Sequence, residues 1–393
     1  MFLLGLKEIF KADLIDLNMG KVKFINQNNL RTARENMGFQ TWQISKSLTS
    51  IGKDVVLVWE TGDDLPTWAQ IKTLAKKYNI PELAFFSNEN IQKNKIIPDF
   101  RVGIKDEETD DVKKLINLVL KRQKWLEDTL KAEKQPHNKL LGSGKSTQSP
   151  LDLANFILKS LGINLEEIKS ISGLGAKRKV LSYLISMAED RGIFVGKTIS
   201  YHRISVEKMR GLFISNDFAP FIVLNRADAL SAQIFSFIHE LAHFFRKSES
   251  ISNSIDFRDS NKNVNAEERF CNRVAAELLL PQADLKKEFY DENDIKHLAE
   301  AYKMSNIFVF YRLKDLGKIR RERASGLESQ ILKETEENIL NRQKNKKKGG
   351  NYYNNMRDSN GNLFNKIVAK SYLQNKIGYV EASNLLKCSV EKI

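Results

Sequence analysis

Residues 234–245 read IFSFIHELAHFF, an apolar stretch interrupted by His239, Glu240 and His243. The two histidines are four residues apart, so on a helix they face the same way, with Cβ atoms about 5–6 Å apart. Two imidazoles at that spacing can bind one zinc ion at about 2.0–2.1 Å. Glu240 follows the first histidine and is near enough to take a proton from a metal-activated water without binding the metal. The stretch predicts a helix that carries a metal site.

The alternative is a helix with an ordinary solvated polar stripe. The chain has five histidines, and two of them stand in this one motif. Large apolar residues flank the motif on both sides, which predicts a buried helix. Two unpaired histidines and a glutamate are costly to bury unless they share a ligand, which favours the metal site.

A zinc peptidase site needs a third protein ligand and an open fourth position. The stretch NAEERFCNRVAAELLLP is predicted to be helical over 266–280 and to pack its apolar face against the motif helix. Its carboxylates Glu267, Glu268 and Glu277 are the candidates. Periodicity mildly prefers Glu267, which lies nearest the centre of the apolar face. Cys271 is a conceivable soft ligand, but it fits better as a small buried residue.

Composition sets the class of protein. The chain has 393 residues, enough for two to four domains, and no run of about 18 apolar residues that would cross a membrane. Two cysteines, Cys271 and Cys388, exclude a disulfide scaffold and suit a reducing cytoplasm. The opening residues lack the pattern of a signal peptide, and Met19 is an alternative start.

The net charge of +14 favours an anionic partner, most often nucleic acid. The alternative is a surface charge that only keeps the protein in solution. The same choice applies to the lysine-rich stretch at 344–348, which is either a solvated tract or a source of non-specific phosphate contacts.

The patterns predict a mainly α fold with a small β-sheet (α+β). Three short apolar runs, GIFVGK, LFIS and FIVLN, are predicted strands just before the motif helix, which should span 231–247. An amphipathic helix is predicted over 110–132, and the composition of 134–150 is typical of a linker. Residues 295–319 have the rhythm of two helices joined by a turn.

The motif and the stretch EERFCNRVAAELLLP together resemble the ImmA/IrrE family of metallopeptidases. The resemblance covers roughly 151–320 and implies a zincin-like domain that binds Zn²⁺. It implies that His239 and His243 are metal ligands, that Glu240 is the general base and that Glu268 is the third ligand. The resemblance therefore selects Glu268 where periodicity alone prefers Glu267.

The N-terminal part contains LRTARENMGFQTWQISKSL, then Trp59-Glu60-x-Gly62 at the end of a predicted helix and a Pro66-Thr67 turn. With these features, residues 28–87 resemble an Xre/Cro-type helix–turn–helix domain, which often precedes this peptidase. The stretch expected to read bases runs from Lys53 to Val58, and Lys46 and Lys53 are candidate DNA contacts. This stretch departs from the family pattern, because four apolar residues supply no base code and Asp54 would repel phosphate. A helical bundle kept for packing or dimerisation is the alternative.

These observations divide the chain into an N-terminal extension (1–27), the helix–turn–helix-like domain (28–87) and a long helix with a linker (88–150). The peptidase-like domain (151–320) and a basic linker with C-terminal helices (321–393) follow. The expected function is a zinc-dependent endopeptidase and regulator that cleaves a repressor-type regulatory protein, with DNA as a second partner. The alternative is a DNA-binding transcriptional regulator with a structural or vestigial metal site. Whether the chain forms a homo-oligomer stays open.

Overall fold

The computed structural model describes residues 20–37, 39–48, 54–78, 80–91, 110–198, 204–248, 250–252, 266–344 and 358–387. These residues form two compact units, divided within one helix between Lys121 and Arg122. Of the features discussed above, Met19, Lys53, Cys388 and the lysines after position 344 lie outside the described residues.

The first unit is helical. Its elements are α1 (Gln27–Asn36), α2 (Thr41–Leu48), α3 (Val55–Thr61), α4 (Trp68–Tyr78) and a short 3-10 helix (Glu82–Phe85). A compact core binds them together, with Leu30, Ile44, Val56, Ile71 and Phe85 fully buried at its centre. The end of the predicted extension belongs to this core, since Val22 is buried and its N–H donates to the carbonyl of Pro66.

Helix α3 corresponds to most of the stretch expected to read bases. Asp54 precedes it as the N-cap, and its carboxylate accepts hydrogen bonds from the hydroxyls of Thr41 and Ser45 and from the N–H of Leu57. Asp54 therefore serves the fold by satisfying a free helix-end N–H. Val56 is fully buried, whereas Lys46 on α2 is exposed.

Helix α5 (Asp110–Ala132) has the predicted bounds, and its second half belongs to the second unit. The other helices of that unit are α6 (Pro150–Leu161), α7 (Leu165–Ser170), α8 (Ala176–Glu189), α9 (Leu230–Arg246), α10 (Ala266–Leu279), α11 (Glu292–Ala301), α12 (Asn306–Asp315), α13 (Arg321–Lys344), α14 (Asn362–Leu373) and α15 (Tyr379–Leu386). The helices α11 and α12 are the two helices joined by a turn that were expected at 295–319, with α11 beginning three residues earlier.

A small sheet lies beside α9. Its strands are β1 (Phe194–Lys197), β2 (Gly211–Ile214), β3 (Phe221–Leu224) and β4 (Ser250–Ser252), in the order β1-β3-β2-β4. Strands β1 and β3 lie within two of the predicted apolar runs, and β2 overlaps the third but begins one residue before it. Strand β1 pairs with β3 in parallel, and β2 pairs with β3 and with β4 antiparallel. Strand β4 was not predicted, because its serine-rich sequence has the composition of a loop.

The stretch 134–150, with its linker-like composition, forms tight turns against the end of α9. The N–H of Gly142 donates to the carbonyl of Phe244 at 3.1 Å, and the N–H of Gly144 donates to that of Phe245 at 2.9 Å. The bond to Phe245 satisfies a carbonyl that the last turn of a helix leaves free, whereas the Phe244 carbonyl also accepts from the N–H of Lys247. An added Cβ at Gly144 would lie 2.5 Å from Leu153 Cδ1, so a larger residue there would force the buried Leu153 side chain to move.

The prediction of a mainly helical protein with a small sheet is confirmed. Within the described ranges, no helix combines the length and the apolar character that a membrane crossing requires.

Candidate metal centre

The motif helix α9 lies in the core of the second unit, packed against α10 and the sheet. Other parts of the unit cover nearly every side of this helix, so the motif residues are buried together with its apolar side chains. His239 is 3% exposed, His243 is 1% exposed and Glu240 is fully buried. Polar groups buried to this degree require partners, so their contacts decide what the helix does.

The two histidines converge with Glu268 of α10. The Nε2 atoms of His239 and His243 are 3.0 Å apart, and their rings lie 4.7 Å apart between centroids. One carboxylate oxygen of Glu268 is 3.1 Å from His239 Nε2, and the other is 3.3 Å from His243 Nε2. Three side chains from two helices therefore bring atoms that can bind a metal ion to one point.

This arrangement fits a zinc ion. Ligands that surround zinc as a tetrahedron at about 2.0–2.1 Å are about 3.3 Å from one another. The three measured separations are close to that value. The Glu268 side chain is 31% exposed, so one side of the site is open to solvent. Three protein ligands with an open side are typical of a catalytic zinc site, whereas structural sites are closed by four.

The same contacts set the charge of Glu268. Burial alone would raise the pKa of its carboxyl, but the hydrogen bonds from His239 and His243 outweigh that effect and hold the pKa well below its ordinary value. Glu268 is therefore a carboxylate at neutral pH, the form that binds a metal.

Glu240 is on the same helix but outside the group of ligands. Its carboxylate packs against the backbone of Gly211 at the start of β2. A Cβ added at Gly211 would lie 2.5 Å from Glu240 Oε1 and 3.0 Å from its Cγ, so only glycine leaves room for this side chain. The structure thus places a carboxylate one residue from a ligand without adding it to the cluster.

The other candidates have different partners. Glu267 binds Arg246 through two N–H···O bonds of 2.5 and 3.0 Å, and Glu277 forms a buried ion pair with Arg312. The Glu267 side chain, which periodicity preferred, is turned to Arg246, whereas Glu268 faces the two histidines. Cys271 is fully buried, and burial, followed by nearby Glu267 and Glu268, raises the pKa of its thiol. The cysteine is therefore a small buried residue here.

Ser248 and Gly211 are parts of the site that sequence reasoning missed. Ser248 Oγ lies 2.9 Å from His243 Nδ1, although the residue stands in a stretch with loop-like composition. The N–H of Ser248 donates to the carbonyl of His243, and Lys247 between them has a left-handed φ of 56°. The chain reversal brings the hydroxyl back to the histidine. The sequence signal that could have pointed to Ser248 was its position, as a hydroxyl-bearing residue just past the end of the motif helix.

Comparison with protein families agrees with the geometry. Residues 195–314 match the model of the IrrE N-terminal-like domain, Peptidase_M78, a family of zinc-type peptidases. The matched range contains His239, Glu240, His243 and Glu268, and it supports a metallopeptidase-type function for this part of the chain. Searches of curated proteins and of solved structures gave no significant match.

Proposed function

We propose that the chain is a zinc-dependent endopeptidase that cleaves a repressor-type regulatory protein. The observation that carries the proposal is the convergence of His239, His243 and Glu268, with Glu240 beside them, inside the range that matches a zinc-type peptidase family. The repressor as substrate rests on the ImmA/IrrE resemblance alone.

Each residue has a defined part in peptide hydrolysis. His239, His243 and Glu268 would hold zinc, which when bound supplies a Lewis acid for the scissile carbonyl and lowers the pKa of water. Glu240 would accept the proton of the attacking water and return it to the departing amine. Its burial against Gly211 holds the carboxylate in one place, so that little reorganisation is needed when the proton moves.

The test compares Glu240→Gln with wild-type protein. Both are loaded with zinc and incubated with regulators encoded by neighbouring genes, and cleavage is followed by mass spectrometry. The amide keeps the size of the side chain but cannot accept the proton, so we expect zinc to be retained and the rate to fall by about 10²-fold or more. Glu300→Gln, the same change at an exposed position of α11, is the matched control. A Glu240→Gln variant that cleaves at the wild-type rate would exclude Glu240 as the base.

DNA binding by the first unit stays a prediction. Asp54 is engaged as a helix cap, Val56 is buried, and Leu57, which is 47% exposed, cannot hydrogen-bond to a base edge. Any binding should therefore come from phosphate contacts and fall steeply with salt. A gel-shift series with specific and random duplexes at rising salt measures this.

A further inference from the structure

A chain of hydrogen bonds runs from the metal centre into the protein through Ser248. His243 Nδ1 is 2.9 Å from Ser248 Oγ, and Ser248 Oγ is 3.2 Å from Glu267 Oε1. Glu267 in turn accepts two hydrogen bonds from Arg246. The chain starts at the ring nitrogen of His243 that faces away from Glu268.

The chemistry of its ends fixes the direction of every bond. An ionised carboxylate only accepts hydrogen bonds, and a guanidinium only donates them. The hydroxyl of Ser248 therefore donates to Glu267 and has its lone pairs left for His243. It follows that His243 carries a proton on Nδ1, which leaves Nε2 as the nitrogen that can bind a metal. Nε2 lies 3.3 Å from a carboxylate oxygen of Glu268, and a zinc ion between them would take the place of a proton shared by the two atoms.

The far end of the chain is firmly anchored. Arg246 also donates to the carbonyl of Thr147 at 2.9 Å, and its guanidinium lies 4.5 Å from the centre of the Phe270 ring. Contacts with the turns before α6 and with α10 hold the guanidinium, and the guanidinium holds Glu267. An acceptor fixed in this way can orient a hydroxyl and, through it, a metal ligand.

The other histidine is held differently. His239 Nδ1 is buried and has no hydrogen-bond partner among the described residues, and the His239 ring stacks on Phe235 with centroids 6.4 Å apart. Packing restrains the ring of His239, but hydrogen bonding in the described part of the chain selects the tautomer of His243 alone.

We propose that Ser248 and Glu267 are positioning residues that hold His243 in the tautomer and orientation needed to bind zinc. This inference rests on the proposed zinc site but not on the proposed cleavage. Glu267, one residue from a metal ligand, thus has its own role as the acceptor behind His243.

Zinc affinity tests the inference without any substrate. The zinc Kd of the full chain is measured by competition with a chromophoric chelator. We expect Ser248→Ala to raise the Kd by about ten- to a hundredfold, and Ser248→Thr, which keeps the hydroxyl, to restore most of the affinity. Ser236→Ala is the matched control, because this hydroxyl on α9 has no hydrogen-bond partner among the described residues. An unchanged Kd in Ser248→Ala would overturn the proposal.

A double-mutant cycle then tests whether Glu267 acts through Ser248. Glu267→Gln should raise the Kd in the wild-type background and have little further effect in Ser248→Ala. The Co²⁺-loaded variants should show an altered visible spectrum, since a reoriented imidazole changes the ligand geometry. Fully additive effects of the two substitutions on the zinc Kd, together with a wild-type cobalt spectrum, would refute the proposed role of the hydrogen-bond chain. Wild-type protein that binds zinc but cleaves nothing would refute only the proposed function, and wild-type protein that binds no zinc would refute the site on which both rest.

Discussion

Each unit contains a glutamate that meets basic side chains of another helix, and the two clusters differ in kind. In the first unit, Glu60 accepts hydrogen bonds from Arg34 at 2.6 and 2.9 Å, and its side chain is 2% exposed. In the second unit, Glu268 meets His239 and His243 at 3.1 and 3.3 Å, and its side chain is 31% exposed.

The difference lies in what the partners present to the carboxylate. Arg34 is a permanent cation whose N–H groups fill the acceptor sites of Glu60, so the pair is complete. An imidazole nitrogen, in contrast, can give up its proton and bind a metal, and two such nitrogens meet the Glu268 carboxylate at one point. Three metal-binding groups that converge at an open edge therefore distinguish a candidate metal centre from a structural ion pair, although both clusters combine a glutamate with basic residues.

The largest effect is expected from removing the carboxylate of the metal centre. Glu268→Ala takes away one of three ligands, so the purified protein should lose stoichiometric zinc, as measured by metal analysis after dialysis. Glu267→Ala, one residue earlier, keeps all three ligands and should retain zinc with weaker affinity. If Glu267→Ala loses the metal while Glu268→Ala keeps it, the assignment is reversed.

Removing the cation from the structural pair should affect stability. Arg34→Leu leaves Glu60 buried, and among the described residues only the more distant Arg31, at 3.6 Å, stays as a cationic partner. We expect the free energy of unfolding to fall by about 3 kcal/mol, and the double change with Glu60→Leu to recover most of it. Tryptophan fluorescence during urea unfolding reports on this unit, which holds three of the four tryptophans. Equal losses of unfolding free energy in the single and double variants would contradict the interpretation of Arg34 and Glu60 as a self-contained ion pair.

A smaller change tests the space around the proposed base. Gly211→Ala should cost about 1–3 kcal/mol of stability by overpacking, because its Cβ would overlap the Glu240 carboxylate. We expect displacement of Glu240 to slow cleavage while zinc is retained, as measured by metal analysis alongside the cleavage assay. Gly326→Ala is the control, since its added Cβ meets nothing within 4 Å. Wild-type cleavage by Gly211→Ala would mean that Glu240 need not occupy this position.

The smallest effect is expected at Cys271. Burial keeps its pKa high, so the thiol stays protonated and is a poor ligand. Cys271→Ala should bind a full equivalent of zinc and lose about 1 kcal/mol of stability, measured by metal analysis and urea unfolding. Loss of zinc would make Cys271 a ligand after all.

Local patterns predicted the helices of the site well. The motif helix was expected over 231–247 and spans Leu230–Arg246, and the next was expected over 266–280 and spans Ala266–Leu279. Apolar periodicity and a terminal proline are local signals, so one sequence is enough to read them.

The direction of single side chains could not be read in this way. Successive helical residues point about 100° apart, so the rotation of α10 about its own axis decides whether Glu267 or Glu268 faces α9. Which one faces the histidines depends on how α10 packs against α9, a tertiary property. The contacts of Ser248 and Gly211 likewise depend on a chain reversal and on a distant strand, and no local pattern contains them.

The turns at 138–147 determine where a working fragment of this protein can be cut. The family match begins at residue 195, and composition suggests a domain that starts at 151. Yet Gly142 and Gly144 bind the last carbonyls of the histidine-bearing helix, and Arg246 is held by Thr147. A fragment that begins at 151 would have none of these contacts. A fragment made for crystallisation or assay should therefore start before Asn138 and include a segment that sequence composition alone would leave out.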